Sequence, residues 1–322
     1  MFEQLINTFK KTTAFTHTKS KILDTTASFS IKYLNGGAKS VLLASLLNDV
    51  SAYPSNSLKF LLIVPDNDAL SCYLDDLAVL GLQERLFNLS WIHSLSDSSV
   101  SRRVGVDNYN HLQSTQLSTL LDNLSQFSVS ISGIAVASKE VFGLQLPSNK
   151  LIREQRHILS VGDKLDMILL GQTLTMNGFR REQYVSRQGE YAIRGGIFDI
   201  FAPNMVNPVR VELWGEVIDS VREFDPLSQR SLSEMRQVTF LKSLFIEEEV
   251  RNSSIYDYIG SDVIVVLDTP DVIGVSAVEL GGLSSYRQIS INPVGISDIM
   301  VKCDSQPSFQ SDTSLLLREL FN

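Results

Sequence analysis

From Val209 onward, apolar and polar residues alternate strictly: Val209, Val211 and Leu213 against Arg210, Glu212 and Trp214. A period of two is that of a strand with one buried face. Gly215-Glu216 offers a turn, Val217 to Phe224 reads as the return strand of a hairpin, and Asp225-Pro226 closes it. In this register the three aliphatic residues face a core, while Arg210 and Trp214 share the other face. Upstream, Tyr191 and Ile193 lead through Arg194-Gly195-Gly196 into Ile197 to Phe201. The paired glycines predict a bend between two strand segments, through a positive φ or a bulge.

On either side of this β-rich stretch the pattern is α/β. Phe2, Leu5, Ile6 and Phe9 have helical spacing, which predicts one or two helices over residues 1–30. Leu34 to Ser40 reads as a loop opening a helix from Val41 to Asn48. Leu58 to Pro65, with Lys59 inside it, is a short apolar run, expected to be a buried parallel strand, and Asn67-Asp68 should cap a helix through Leu80. The Ser- and Asn-rich residues 82–110, with Trp91 and His93, read as loop. An amphipathic helix is expected from His111 to Phe127, a second buried strand from Ser130 to Ser138, and another helix from Lys139-Glu140.

After a break at Pro147 to Asn149, the pattern turns near residue 155 to alternating strands. Ile158 to Val161 leads into a helix expected to be capped by Asp163 and to run through Leu170. Beyond Lys242 come a short helix (Ile255 to Ile259), a buried strand (Asp262 to Leu267) and a final helix (Ser311 to Asn322). The predicted fold class is α/β, a parallel-sheet domain interrupted by a mostly β (α+β) insert. Its parts are expected at residues 1–155, 156–242 and 243–322. No internal repeat or low-complexity segment is present in the sequence.

Composition narrows the function. The 322 residues are 43% hydrophobic and 20% charged, as in an ordinary globular chain, with no apolar run long enough to span a membrane. Cys72 and Cys303 exclude a disulfide framework, and His17, His93, His111 and His157 lack metal-site spacing. A cytoplasmic location without metal or cofactor is therefore expected. The net charge of −8 argues against a plain nucleic-acid binder. Between Arg156 and Lys242, however, eleven basic residues balance eleven acidic ones, so the whole deficit lies outside this stretch. Arg180, Arg181, Arg187, Arg194 and Arg210 are either ordinary solvated arginines or a polar surface for an acidic partner.

Leu34-Asn35-Gly36-Gly37-Ala38-Lys39-Ser40 invites a phosphate-loop reading. That loop needs glycines where Tyr33 and Ala38 stand, so Gly36, Gly37, Lys39 and Ser40 are a degenerate version or a glycine-rich helix entry. Asp268 ends an apolar strand and is expected to act as a turn or cap residue. In a helicase-like domain a metal-binding acidic pair would lie close to the position of the Ser130 to Ser138 strand; that strand has no Asp or Glu, so a second catalytic element is expected to be missing. Metalloprotease and nucleophile-elbow motifs are also absent.

The blocks GEYAIRGGIFDIF, PVRVELWGEVIDSVREFD and SQRS, in this order and spacing, resemble the module shared by bacterial transcription-repair coupling factor (Mfd) and the excinuclease protein UvrB. LLIVPDNDALSCYLDDL and DVIVVLDTPDVI resemble the family more faintly. The resemblance implies a degenerate helicase-like domain carrying an inserted domain that docks the excinuclease protein UvrA. Arg194 matches the arginine of the family's A-x-R-G block, Arg210 the arginine after its Pro-x pair, and Trp214 an aromatic position. It also implies an N-terminal fragment that is not an enzyme, from a longer ATP-dependent DNA translocase that contacts RNA polymerase and DNA through other regions. The alternative is an active UvrB-like helicase, with Lys39, Ser40 and Asp268 as its best residues.

Overall fold

Two stretches far apart in sequence supply one seven-stranded sheet. The computed structural model describes residues 2–24, 27–49, 57–91, 106–242, 251–273 and 282–301. The strands are β1 (Phe29–Lys32), β2 (Leu58–Val64), β3 (Leu86–Leu89), β4 (Ser132–Ser138), β13 (Val263–Asp268), β14 (Arg287–Ile291) and β15 (Ile299–Met300). All pair in parallel, in the order β15-β1-β14-β13-β2-β4-β3. Every residue of β2 is buried. Phe60, Leu62 and Val64 pack into one layer, Leu61 and Ile63 into the other, which is why the run shows no polar alternation.

Helices α1 (Phe2–Phe9), α2 (Thr13–Asp24), α3 (Ala38–Leu47) and α4 (Asn67–Leu77) cover the first layer through Ile6, Phe15, Leu42, Leu46 and Leu77. The helix Val106–Val129 covers the second with Leu120, Leu124 and Phe127.

The chain leaves this unit through β5 (Arg156–Ser160) and returns through β12 (Gln237–Leu241), which pair antiparallel. Lys242 N–H donates to the Gln155 carbonyl at 3.0 Å, so entry and exit lie side by side. Arg156 anchors this ribbon on the parallel-sheet unit through an ion pair with buried Asp122 at 2.6 Å.

Between them runs a six-stranded sheet: β6 (Arg180–Arg181), β7 (Glu190–Arg194), β8 (Ile197–Phe201), β9 (Val209–Trp214), β10 (Val217–Phe224) and β11 (Ser231–Met235). Neighbours are antiparallel except β6 and β7. One face, with Tyr191, Phe198, Ile200, Val209, Val211, Ile218 and Val221, packs under Leu170 and Leu174 of the helix Met167–Met176. The whole is a helicase-like α/β domain with an inserted, mostly β domain.

Local readings needed correction. β3 lies within the stretch read as loop, because two buried residues suffice for a short strand at the sheet edge. β1 occupies the end of the stretch read as helical. Asp166, not Asp163, caps the helix Met167–Met176, accepting from Ile168 and Leu169 N–H; Asp163 instead closes the turn after β5 by accepting from Ser160 N–H. Likewise Asp66, one residue earlier than expected, caps α4. The helix expected at Lys139-Glu140 is a 3₁₀ segment, Lys139–Gly143, and that expected at Ile255 to Ile259 is a single 3₁₀ turn, Ile255–Asp257. His93 and the helix expected over Ser311 to Asn322 lie outside the described residues.

Candidate functional site

The β7–β8 connection is a two-residue turn: Arg194 pairs with Ile197 across Gly195-Gly196. Gly195 has φ 57°, in the left-handed region that glycine occupies without strain. Gly196 is needed for a different reason. A Cβ there would stand 2.9 Å from the Leu213 carbonyl oxygen, because β9 approaches closely enough for Leu213 N–H to donate to Gly196 O at 2.8 Å.

β8 runs between β7 and β9, and its register sets Asp199 opposite Arg210. Asp199 is 0% exposed. A buried carboxylate requires partners, and here it has two arginines. Arg194 Nη2 donates to Asp199 Oδ2 at 2.6 Å. Arg210 donates from Nε to Oδ1 at 2.7 Å and from Nη2 to Oδ2 at 2.9 Å.

Each guanidinium is held a second time. Arg194 Nη1 donates to the Gln183 carbonyl at 2.6 Å, and the group lies over the Tyr184 ring. Arg210 Nη2 donates to Gln229 Oε1 at 3.1 Å, and its guanidinium sits 4.4 Å from the Phe224 ring centre. The hydrogen bonds to Asp199 push the Arg210 pKa up despite partial burial.

Val209 and Val211 point into the core and Leu213 packs at its margin, while Arg210 and Trp214 lie on the opposite face with Arg194 beside them. Trp214 is 86% exposed. On the same face Arg222 pairs with Glu212 at 2.6 Å. Arg194 and Arg210 are not ordinary solvated arginines, one of the two readings their sequence context offered. Their side chains are 27% and 16% exposed and neutralise a buried acid. The pairing follows from the strand register, which the alternation of β9 alone does not reveal.

A second ion-pair site lies at the start of α3. Lys39 Nζ reaches both carboxylate oxygens of Asp268, at 2.7 and 3.0 Å, and the Tyr73 hydroxyl donates to Oδ2 at 2.9 Å. Ser40 Oγ donates to Asp76 at 2.9 Å. Gly36, Gly37, Lys39, Ser40, Tyr73 and Asp268 line a cavity of about 340 Å³. Tyr33 (φ 63°) and Gly36 (φ 52°) both adopt left-handed conformations in the preceding loop. Burial, then Asp268, raises the Tyr73 pKa far above its ordinary value, so the phenol stays a donor.

Asp268 is therefore not simply a turn or cap residue, as expected; it is 3% exposed and receives Lys39 and Tyr73. The acidic residue facing the glycine-rich loop comes from β13, not from the Ser130 to Ser138 strand. The cause is the strand order: only β14 separates β13 from β1, and parallel strands present their carboxyl ends along one edge. Among the described residues no group of His, Cys, Asp and Glu has the makings of a metal site, and no helix is long and apolar enough to cross a membrane.

Sequence reasoning missed Asp199, Gln229 and Tyr73. Only Asp199 carried a signal, as a lone acid inside the apolar run Ile197-Phe198-Asp199-Ile200-Phe201.

Residues 158–243 match the family model of the UvrB interaction domain. Over 219 residues, 67% of the chain, the sequence is 28% identical to the transcription-repair-coupling factor of Bacillus subtilis (strain 168), a match covering 17% of that protein. It is 35% identical over 141 residues (43% of the chain, 12% of the relative) to that of Staphylococcus epidermidis. A 97-residue stretch, 29% of the chain and 8% of the relative, is 40% identical to the Mycobacterium tuberculosis factor. The chain spans less than a fifth of the length of these relatives. With its fold, these matches make the chain similar to an N-terminal module of the transcription-repair coupling factors, with residues 158–243 similar to a UvrB interaction domain.

Proposed function

We propose that the insert, residues 156–242, docks the excinuclease protein UvrA, so that repair follows removal of a stalled polymerase. The observation that carries this reading is the face holding Arg194, Arg210 and Trp214. Two arginines share one aspartate, which leaves one net positive charge on the same sheet face as an exposed tryptophan. Arginine and tryptophan are enriched at the energetic centres of interfaces, and a guanidinium fork fits a partner carboxylate. The UvrB interaction domain match over residues 158–243 supports the same assignment.

In this reading the chain works as a binding module at a cytoplasmic repair complex and does not hydrolyse ATP. Tyr33 and Ala38 replace the glycines of a phosphate loop, and Lys39 is engaged by Asp268. Contacts with RNA polymerase and DNA are assigned to the parts of the longer family proteins that this chain does not cover. The UvrB-like enzyme reading keeps one point in its favour, the juxtaposition of Lys39 and Asp268. Micromolar ATP binding that Lys39→Ala abolishes would restore it.

The docking test is titration of the chain with purified UvrA. The Arg194→Ala/Arg210→Ala double variant should bind at least about tenfold more weakly, the factor corresponding to ~1.4 kcal/mol. Because both arginines neutralise Asp199, its folding must be checked by circular dichroism in parallel. A folded double variant with wild-type affinity would exclude this face as the docking surface.

A further inference from the structure

Asp199 is fully buried on β8, so it cannot touch a partner. Yet it fixes both arginines of the proposed docking face, through bonds of 2.6, 2.7 and 2.9 Å. Gln229 holds Arg210 from the other side. Its backbone has φ 59°, unusual for a residue with a side chain. Its amide is locked by donation to Pro226 O at 2.8 Å and Val185 O at 3.3 Å, which aims Oε1 at Arg210. These contacts engage two of the five N–H bonds of Arg194 and three of those of Arg210. The others are available to an outside acceptor.

We infer that Asp199 and Gln229 are positioning residues, which preset the two guanidinium planes for a carboxylate on the partner. The inference rests on the docking reading above. Its physical basis is preorganisation: side chains already ordered lose little freedom when the complex forms. Loose arginines carry the same charge but must be ordered on binding.

The sign of one substitution separates positioning from simple electrostatics. Asp199→Asn removes a negative charge and makes the face more positive. Electrostatics alone therefore predicts equal or tighter binding to an acidic partner. Positioning predicts weaker binding, by about tenfold or more for ~1.4 kcal/mol of lost orientation.

The experiment is calorimetric titration of Asp199→Asn with purified UvrA, beside a thermal melt of each variant. Adding Asp199→Asn to the Arg194→Ala/Arg210→Ala background should then produce no further loss, since the aspartate acts only through the arginines. A merely structural role would add a loss there. If Asp199→Asn does not fold, Gln229→Gly serves in its place. Glycine accepts φ 59° without strain, so the melt should hold while affinity falls severalfold.

A folded Asp199→Asn variant that binds as well as wild type overturns the inference. So does unchanged affinity in Gln229→Gly when Asp199→Asn cannot fold. Loss of binding in the double arginine variant, with Asp199→Asn unaffected, would refute the positioning role alone. Retention of binding in the folded double arginine variant would refute the docking reading, and this inference with it.

Discussion

Lys39 and Arg210 each direct a cation at a buried aspartate, but the charge left over differs. In the parallel-sheet unit one lysine meets one aspartate, with Tyr73 as a neutral third donor. The lysine–aspartate pair is balanced in itself, and Asp76, which accepts from Ser40, adds a second carboxylate to the same cavity. On the insert two arginines meet one aspartate, and the surplus positive charge lies on the sheet face that also carries Trp214. A neutral pair has little to offer an incoming anion, whereas a doubly held arginine pair offers charge and unused donors in a fixed geometry. The same device therefore lines a cavity in one place and, in the docking reading proposed above, forms the partner-facing surface in the other.

Removing the aspartates should break the comparison most strongly. Asp199→Ala leaves two partly buried guanidiniums facing each other, and arginine cannot shed its proton. Loss of one partner from a buried ion pair costs about 3–5 kcal/mol. Asp268→Ala should cost less, about 1–3 kcal/mol, because the flexible Lys39 stem can turn toward the adjoining cavity. Urea midpoints of the two variants measure the difference. Equal costs, or a larger cost for Asp268→Ala, would mean that the two sites do not differ in this way.

These two aspartates also mark where the sequence was legible and where it was not. The alternation of Val209, Val211 and Leu213 with polar residues correctly oriented β9, because a strand's period fixes the facing of every side chain. The bend at Gly195 was legible for a similarly local reason. Asp199 was not, since its partners come from β7 and β9, and only the register joins them. Asp268 was misread because its distance from Lys39 depends on the strand order β1-β14-β13, which spans more than two hundred residues of sequence. Local periodicity reports facing; it does not report which strands become neighbours.

Alkaline pH should sharpen the contrast at a smaller scale. Tyr73 has its pKa raised by burial and then by Asp268, so the folded chain holds a proton that the unfolded chain releases above about pH 10. The folded state thus binds more protons there, and stability falls as pH rises past that point. Tyr73→Phe should lose about 1.5–3 kcal/mol at neutral pH, the contribution of a hydrogen bond to a charged group. Its melting temperature should then decline less steeply than wild type between about pH 9 and 11. Tyr256, Tyr258 and Tyr286 are also raised, so only part of the slope should disappear. An unchanged slope would show that Tyr73 does not couple this site to pH.

Trp214→Ala should have the smallest effect on folding and so isolates the docking face from the core. The side chain is 86% exposed at the end of β9, and its neighbour across the hairpin, Val217, is itself partly exposed. Surface substitutions of this kind change stability by less than about 0.5 kcal/mol. Affinity for UvrA should nevertheless fall by about tenfold, or ~1.4 kcal/mol, because an exposed indole on the face of a fixed arginine pair has area to bury only in a complex. Tyr33, half exposed in the loop that precedes α3, supplies the control. Its replacement by alanine should leave that affinity unchanged. If Trp214→Ala binds normally, the arginine pair acts without an aromatic anchor. If Tyr33→Ala weakens binding as much as Trp214→Ala does, the partner also covers the loop that leads into the lysine site, and the division between an internal ion pair and a docking face is wrong.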